Sequence, residues 1–188
     1  MTDPLTLTVV GAAALSEGIK FLYAQAGEVL KRWRERKAST AAGAEPAAAV
    51  PVAVELPPAF AGRLQDPRLD FEAVQRLEQD LLELWQAVAG YAQGIQEVDP
   101  GDRRLLEVVD ALRRALEAVY RQRLTFSGED RPASGPVAVG EASADEVLGY
   151  VAGLRARRVV GGTLTGRVDA GTVGPGGQAV GTDLDAVG

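Results

Sequence analysis

The side chains that most often carry enzyme chemistry are missing from this sequence. The chain of 188 residues contains no His, no Cys and a single Met. The commonest general base, the thiol nucleophile and the best transition-metal ligands are therefore absent. Carboxylate, Lys or Ser chemistry remains open, but the 26 acidic residues fall at positions that solvated helix faces explain. We expect no catalytic residue, no metal site and no cofactor, and hence a non-enzymatic protein.

Charge and the apolar N-terminal run limit the partners and the compartment. A net charge of −6 argues against nucleic-acid binding, which needs a positive surface. The lack of Cys fits a reducing cytoplasm. The apolar run 4–15 is shorter than the roughly 20 residues that span a bilayer, and Asp3 precedes it where a secretory signal carries basic residues. We expect a cytoplasmic protein whose N-terminal run either starts a buried helix or inserts into a membrane after a conformational change.

Residues 1–37 are predicted to form an N-terminal amphipathic or hydrophobic helix. Apolar residues recur at three- and four-residue spacing from Leu15 to Trp33, and the segment ends in a basic cluster, 31–37. Cations at a helix C-terminus oppose the helix dipole, whereas the same cluster beside a Trp also suits anionic lipid headgroups. In the second interpretation, the membrane-contacting residues are Val9, Val10, Leu15, Ile19, Phe21, Leu22, Lys31, Arg32, Trp33, Arg34, Arg36 and Lys37.

A helical hairpin follows an Ala- and Pro-rich linker at 38–65. Over 66–124, apolar residues alternate at three- and four-residue steps in two stretches separated by a short turn, which favours two antiparallel helices. Asp66-Pro67 and Asp99-Pro100 resemble helix starts, with a capping side chain before a Pro. The widened apolar faces are wide enough to accept another helix, and the N-terminal helix is the obvious candidate; the sequence leaves open whether that helix packs on the hairpin at rest.

Residues 125–142 are predicted to be a loop, and 143–158 a short fourth helix. Ser143 and Glu146 have the spacing of a capping box. The predicted fold is therefore all-α: a small bundle of about four helices around a central antiparallel hairpin, with long loops and a Gly-rich tail.

The tail, 159–188, changes character because its Gly density excludes a helix. Val, Thr and Leu favour strands there, on either side of a predicted turn at 174–177. The two halves of the tail form a weak repeat, in which Leu164 and Val168 correspond to Val180 and Leu184. The tail is either disordered or forms β-structure when copies stack. The residues predicted to carry assembly are Leu164, Val168, Val173, Gln178, Ala179, Val180, Gly181 and Leu184.

Two family resemblances join these parts. Gln178-Ala179-Val180-Gly181 resembles the core of RHIM-type amyloid signalling motifs. The start, Met1-Thr-Asp-Pro4 followed by an apolar run and Ile19, Phe21 and Leu22, is similar to fungal HeLo-type domains and the bacterial Bell domains. In those families a helical bundle with a hydrophobic first helix precedes a C-terminal amyloid motif. The resemblance implies that an upstream receptor with a matching motif templates the tail, and that the first helix then attacks the membrane.

Two functions are consistent with the sequence. The first is a membrane-targeting cell-death or antiphage-defence effector, triggered by self-assembly of its tail and contacting membrane lipids on activation at the inner face of the cell membrane. The second is a non-enzymatic structural or adaptor subunit of a larger bacterial assembly, which docks through the helical hairpin and adds its tail to a neighbour as a strand.

Overall fold

The computed structural model describes residues 6–43, 54–65, 67–156 and 163–184. The chain divides into two compact units, Met1–Ser134 and Gly135–Gly188. The first, which we call the helical unit, contains the long helices. The second, which we call the β unit, is built from strands. The predicted all-α fold is therefore wrong, and the protein is mixed, with α and β structure largely in separate units.

In the helical unit, a 3-10 turn at Thr6–Val9 precedes α1 (Ala12–Ala41), α2 (Phe71–Ala92) and α3 (Arg103–Tyr120). Short strands lie around the helices: β1 (Phe60–Ala61), β2 (Gln122–Arg123) and β3 (Thr125–Phe126). β1 pairs with β3 in antiparallel register. The first helix thus extends beyond residue 37, and the predicted linker contains an ordered strand. Residues 44–53 of that linker lie outside the described residues.

The two hairpin helices begin later than the sequence predicts. The carboxylate of Asp70 accepts hydrogen bonds from the amides of Glu72 and Ala73, at 3.0 and 3.2 Å. Asp102 caps α3 in the same way. Asp99 instead accepts from the Gly101 amide at 2.8 Å, inside the turn, while Asp66 lies outside the described residues. The helices therefore start where a carboxylate reaches the free amides of the first turn.

The core of the helical unit lies where α1 packs on the α2–α3 hairpin, which answers a question that the sequence leaves open. On α1, Leu15, Ile19 and Leu22 are buried, and the hairpin contributes a matching apolar stripe. Of that stripe, Ile95 is exposed because α2 ends at Ala92. The buried positions of that stripe are Val74, Leu81, Val88, Leu105, Val109, Leu112, Leu116 and Val119.

Phe126 joins β3 to α1. Its ring lies so close to Gly18 that a Cβ on that glycine would be 2.6 Å from Phe126 Cζ. The same ring packs on Phe60 of β1 with 4.5 Å between centroids, and Phe60 in turn packs on Phe21 at 5.1 Å. The segment predicted to be a loop from residue 125 therefore begins with a buried strand that contacts the first helix.

The β unit contains β4 (Gly135–Val147), β5 (Tyr150–Ala156), β6 (Thr163–Val173) and β7 (Gln178–Leu184). The predicted loop at 125–142 is therefore confined to residues 127–134, and the predicted helix at 143–158 is wrong. The capping-box spacing at 143–146 is a local signal, whereas the strand partners at 163–184 are supplied by distant chain. Gly149 and Gly153 also make a helix there costly, by about 1 kcal/mol each.

Both strand pairs of the β unit are parallel. β4 pairs with β6 in one constant register, which places Val137 opposite Thr163 and Val147 opposite Val173. β5 pairs with β7 in the same manner, with Tyr150 opposite Gln178. The strand pairing therefore joins each half of the tail to the chain that precedes the tail. The last residues of the repeat predicted within the tail, 185–186, lie outside the described residues.

Candidate assembly surface and candidate membrane helix

The β unit is a stack of two similar rungs. Rung 1 consists of β4 and β5 with a corner at 148–149, and rung 2 consists of β6 and β7 with a corner at 174–177. Backbone hydrogen bonds continue through the corners, because the Gly174 amide donates to Val147 O at 2.9 Å and the Gln178 amide to Gly149 O at 2.7 Å. The predicted turn at 174–177 is confirmed, with Gly176 at a φ of +82°.

Glycines bring the two layers of the stack into backbone contact. A Cβ on Gly181 of β7 would lie 2.6 Å from Gly166 O of β6, and one on Gly153 of β5 would lie 2.6 Å from the Arg167 nitrogen. The Gly166 amide also donates to Thr182 Oγ1 at 2.9 Å. Side chains at these glycine positions would separate the layers, so the Gly content that looks like disorder in the sequence serves close packing.

Rung 2 contains every residue predicted to carry assembly. Leu164, Val168, Val180 and Gly181 are half-buried, in line with an inner face, whereas Gln178 and Ala179 are exposed. Val173 and Leu184, at 48% and 37% exposure, lie near the strand ends. The prediction that these residues act in assembly stays a prediction. They do lie together in one rung, formed by β6 and β7.

Rung 1 is the part of this surface that the sequence analysis missed. Three of its residues are identical to their register partners in rung 2: Gly140 and Gly166, Ala144 and Ala170, Val147 and Val173. A comparison of the tail with the stretch of chain that precedes it, rather than with itself, carries this signal.

Opposite charges lie across the rungs. Arg155 Nε of β5 is 3.3 Å from Asp183 Oδ2 of β7, and the Tyr150 hydroxyl also donates to Asp183. On the outer face of the other layer, Glu141 of β4 is the register partner of Arg167 of β6, and both are exposed. Each rung thus presents a charge that its neighbour complements.

The apolar residues predicted to contact membranes are mostly inside the helical unit. Val10, Leu15, Ile19, Leu22 and Trp33 are at most 9% exposed. Phe21 is half-buried, and Val9 is 64% exposed. Lipid contact by the buried residues would require α1 to leave the hairpin. The part of the family resemblance at residues 1–4 lies outside the described residues.

The basic cluster at the end of α1 is partly engaged with carboxylates. Arg32 contacts Glu28 at 2.8 Å. Lys37 contacts Glu78 of α2 at 2.5 Å, and Trp33 Nε1 donates to the same carboxylate at 2.7 Å. The hydrogen bonds from Lys37 and Trp33 lower the pKa of Glu78, and the one from Arg32 lowers the pKa of Glu28.

The remaining cations of this cluster lie toward solvent or over rings. Lys31 and Arg34 are exposed, and the Arg36 guanidinium is 4.4 Å from the Phe71 ring centroid. At rest, therefore, Lys31, Arg34 and Lys37 are the cluster residues that solvent reaches most freely.

Polar contacts fasten the middle of α1 to the hairpin. Trp85 Nε1 of α2 donates to Tyr23 O at 3.1 Å, and the two rings stack with 5.0 Å between centroids. The Tyr120 hydroxyl of α3 donates to Gln25 Oε1 at 2.8 Å, and burial raises the pKa of Tyr120. Together with the apolar packing, these contacts hold α1 in the bundle.

A buried ionic cluster connects α3 with the start of the helical unit and with the chain after β3. The Arg113 guanidinium, 1% exposed, contacts both carboxylate oxygens of Glu129, at 2.7 and 2.8 Å, and also contacts Asp110. Glu129 accepts as well from the Phe126 amide at 2.6 Å and from the Thr6 hydroxyl. This cluster could not be predicted from the sequence, because Arg113 and Glu129 meet only when the chain after α3 folds back.

Neither a metal site nor a membrane-spanning helix is found in the described part of the chain. Within those residues, no group of three or more His, Cys, Asp or Glu side chains could hold a metal ion. No helix there is long and apolar enough to cross a bilayer. Comparisons with protein families, with curated proteins and with solved structures find no match to this chain.

Proposed function

We propose that this protein is a non-enzymatic, membrane-targeting cell-death or defence effector, and that amyloid-like assembly of its C-terminal part triggers it. The observation that carries the proposal is the parallel stack of two rungs. A chain that already stacks one rung on another in register has the backbone pattern that cross-β assembly continues between molecules. The β unit then acts as the trigger and the helical unit as the part that acts on membranes.

The resting helical unit supports a releasable first helix. Burial of each large apolar side chain of α1 contributes about 1.5–3 kcal/mol, so Leu15, Ile19 and Leu22 stay in the bundle unless another apolar medium replaces it. A bilayer surface is such a medium for an amphipathic helix, and cations near a Trp favour anionic headgroups. In this proposal the protein is cytoplasmic at rest and relocates to the inner face of the cell membrane.

The trigger would come from a partner that presents a matching strand stack. An upstream receptor with a similar motif would template the β unit, after which further copies of this chain add by self-assembly. No nucleic acid takes part in this sequence of events, consistent with the net charge of −6.

Controlled expression of the full chain in bacterial cells tests the proposal. We expect growth arrest and entry of a membrane-impermeant dye when the protein assembles into fibres with a cross-β diffraction pattern. Leu22→Asp on α1 and Gly166→Val in the β unit should each abolish arrest. Fibres from wild-type protein without arrest, or arrest that survives both substitutions, would contradict the proposed activity.

A groove on the hairpin favours a second candidate, the adaptor subunit. An open space of about 590 Å³ lies between α2 and α3, large enough to receive side chains of a partner helix. Its lining is mainly apolar, with three charged residues: Leu77, Asp80, Glu83, Leu84, Ala87, Ala111, Arg114, Ala115 and Ala118. Substitution of Ala118, an exposed residue of this lining, by Trp would fill this groove. Loss of a stoichiometric partner in that variant, with membranes intact in the wild type, would favour the adaptor.

A further inference from the structure

We propose that the groove between α2 and α3 binds a second copy of this chain, so that α2 of each copy packs on α3 of the other. The two hairpins then form a four-helix contact around a two-fold axis that runs parallel to these helices. The inference goes beyond the proposed function, because the surface lies in the helical unit and the pairing needs no assembly of the β unit.

The groove is an apolar face of the hairpin that lies beside the core. The described residues that line its space of about 590 Å³ all belong to α2 or α3. Leu77 and Leu84 are half-buried there, and Ala87, Ala111 and Ala118 are exposed. Apolar surface gains free energy when another apolar surface removes it from water. The face therefore suits a partner helix that is itself partly apolar.

The two walls of the groove differ in the size of their apolar side chains. The α2 wall presents Leu77 and Leu84, whereas the α3 wall presents Ala111, Ala115 and Ala118. Facing helices fill space best when large side chains on one lie over small side chains on the other. The best-filled contact between two copies therefore places the α2 wall of one on the α3 wall of the other.

The charges of the two walls are opposite in sign. The charged residues of the α2 wall are Asp80 and Glu83, and that of the α3 wall is Arg114. Arg114 contacts Asp110, but its side chain is 53% exposed while that of Asp110 is 9% exposed, so the α3 wall presents a cation to a partner. An acidic wall complements a basic one, and complementary charges select the partner and its orientation.

The opposite charges lie at one height along the groove. The Asp70 amide at the start of α2 donates to Val119 O near the end of α3 at 2.8 Å, so the helices run antiparallel from a common level. Asp80 is ten residues from Asp70, and Asp110 is nine from Val119, which gives nearly the same rise. The Arg114 head reaches Asp110 and hence the height of Asp80.

A two-fold axis parallel to the helices keeps each residue at its own height and exchanges the walls. Asp80 of each copy then faces Arg114 of the other, so the same pair forms twice in an isologous contact. A two-fold axis across the helices would instead lay the acidic wall on the acidic wall and the alanines on alanines. Both the charges and the packing therefore favour the first arrangement.

Two complementary charge variants of the full-length chain test the partner and the arrangement. Asp80→Arg places a cation on Arg114 in both halves of a homodimer, and Arg114→Glu places an acid on Asp80 in both halves. In a mixture of the two variants, each half of a heterodimer regains one acid and one cation. Glu97→Arg is the matched control, because it makes the same charge reversal at an exposed residue between α2 and α3 that is not part of the lining.

Sedimentation velocity of freshly prepared protein, from about 1 µM to about 1 mM, measures the oligomeric state. Each chain is also measured with Gly166→Val added, so that assembly of the β unit does not intervene. We expect wild type and Glu97→Arg to dimerise, each groove variant alone to dimerise at least roughly tenfold more weakly, and the mixture to recover.

Helical circular dichroism checks that each variant folds. If Arg114→Glu does not fold, Ala118→Trp takes its place, because it fills the groove at an exposed position. That variant should stay monomeric at concentrations at which the wild type dimerises.

Several results would overturn the inference. A wild-type chain that stays monomeric throughout this range excludes the second copy as the occupant, and a different protein found in the groove would then favour the adaptor. Dimerisation of Asp80→Arg or Ala118→Trp as tight as that of the wild type excludes the groove. Folded groove variants that fail to pair in the mixture exclude the arrangement. None of these results bears on fibre formation or membrane damage, so the inference and the proposed function fail separately.

Discussion

Removal of the Arg113 guanidinium should destabilise the helical unit far more than removal of a neighbouring arginine that contacts the same carboxylate. Arg113→Met keeps most of the side-chain volume but leaves Asp110 and Glu129 without their buried cation. The side chain of Glu129 has 0% exposure and that of Asp110 9%. Two carboxylates would thus remain in a site that water does not reach.

The expected cost follows from the contacts that remain. Loss of one partner from a buried ion pair costs about 3–5 kcal/mol. Glu129 would keep the hydrogen bond from the Phe126 amide, and Arg113 Nε has no hydrogen-bond partner among the described residues, so Met also removes an unsatisfied donor. Both points place the loss of unfolding free energy near the lower end of this range, at about 3 kcal/mol. Such a loss lowers the melting temperature of the helical unit by roughly 10 °C.

Arg114 is the matched control. Its Nε contacts Asp110 Oδ2 at 2.8 Å, but its side chain is 53% exposed. Arg114→Met should therefore cost less than about 1 kcal/mol. Urea unfolding followed by helical circular dichroism, with tryptophan fluorescence as a second probe, measures both variants. Equal losses for Arg113→Met and Arg114→Met would refute the assignment of this cluster as a buried ionic anchor.

Three further predictions concern the β unit and the docking of α1. Gly166→Val places a side chain against the backbone of Gly181 and should slow fibre growth by at least tenfold, while the helical unfolding transition stays unchanged; normal fibre growth would show that the layers do not pack through glycine. Glu78→Gln should lower the unfolding free energy by less than about 1 kcal/mol near neutral pH. Because the folded-state pKa of Glu78 is lowered, this contribution is present above the ordinary glutamate pKa and is lost as the pH falls through the lowered value, so a difference that persists in acid would contradict the sign. Trp85→Phe removes the hydrogen bond to Tyr23 O and should cost about 0.5–1.5 kcal/mol in urea unfolding; an unchanged midpoint would mean that this bond does not hold α1.

The sequence predicts the helical unit well because its signals are local and periodic. The stripes from Val74 to Val88 and from Leu105 to Val119 repeat at helical spacing, and the structure buries their central residues. The apolar faces of the hairpin can accept a third helix, but only the structure shows that the first helix packs there. What the sequence does not place is the exact start of each helix, since Asp70 and Asp102 compete with Asp66 and Asp99 as caps.

The β unit could not be predicted from local pattern. The segment 143–158 has a capping box and apolar residues at near-helical spacing, yet β4 and β5 find their backbone partners in β6 and β7, beyond the end of that segment. Strand pairing of that kind depends on distant contacts, which local propensity does not contain. The strands of rung 2 could be predicted because the Gly density there excludes a helix and because Val and Thr favour strands. The pairing of Glu141 with Arg167 and of Arg155 with Asp183 could not be predicted, because it depends on register.

Dye release from vesicles tests most directly whether stacking of the β unit triggers an attack on membranes. Vesicles of phosphatidylserine and phosphatidylcholine would be loaded with a fluorescent dye. Full-length protein would then be added either as monomer alone or as monomer together with preformed fibres that seed its growth. We expect little release by monomer alone, strong release when monomer meets seeds, and little release when Gly166→Val monomer meets the same seeds. Two results would contradict the proposal that stacking of the β unit triggers an attack on membranes. One is dye release by unseeded wild-type monomer that equals the release by seeded monomer, and the other is vesicles that stay intact throughout wild-type fibre growth.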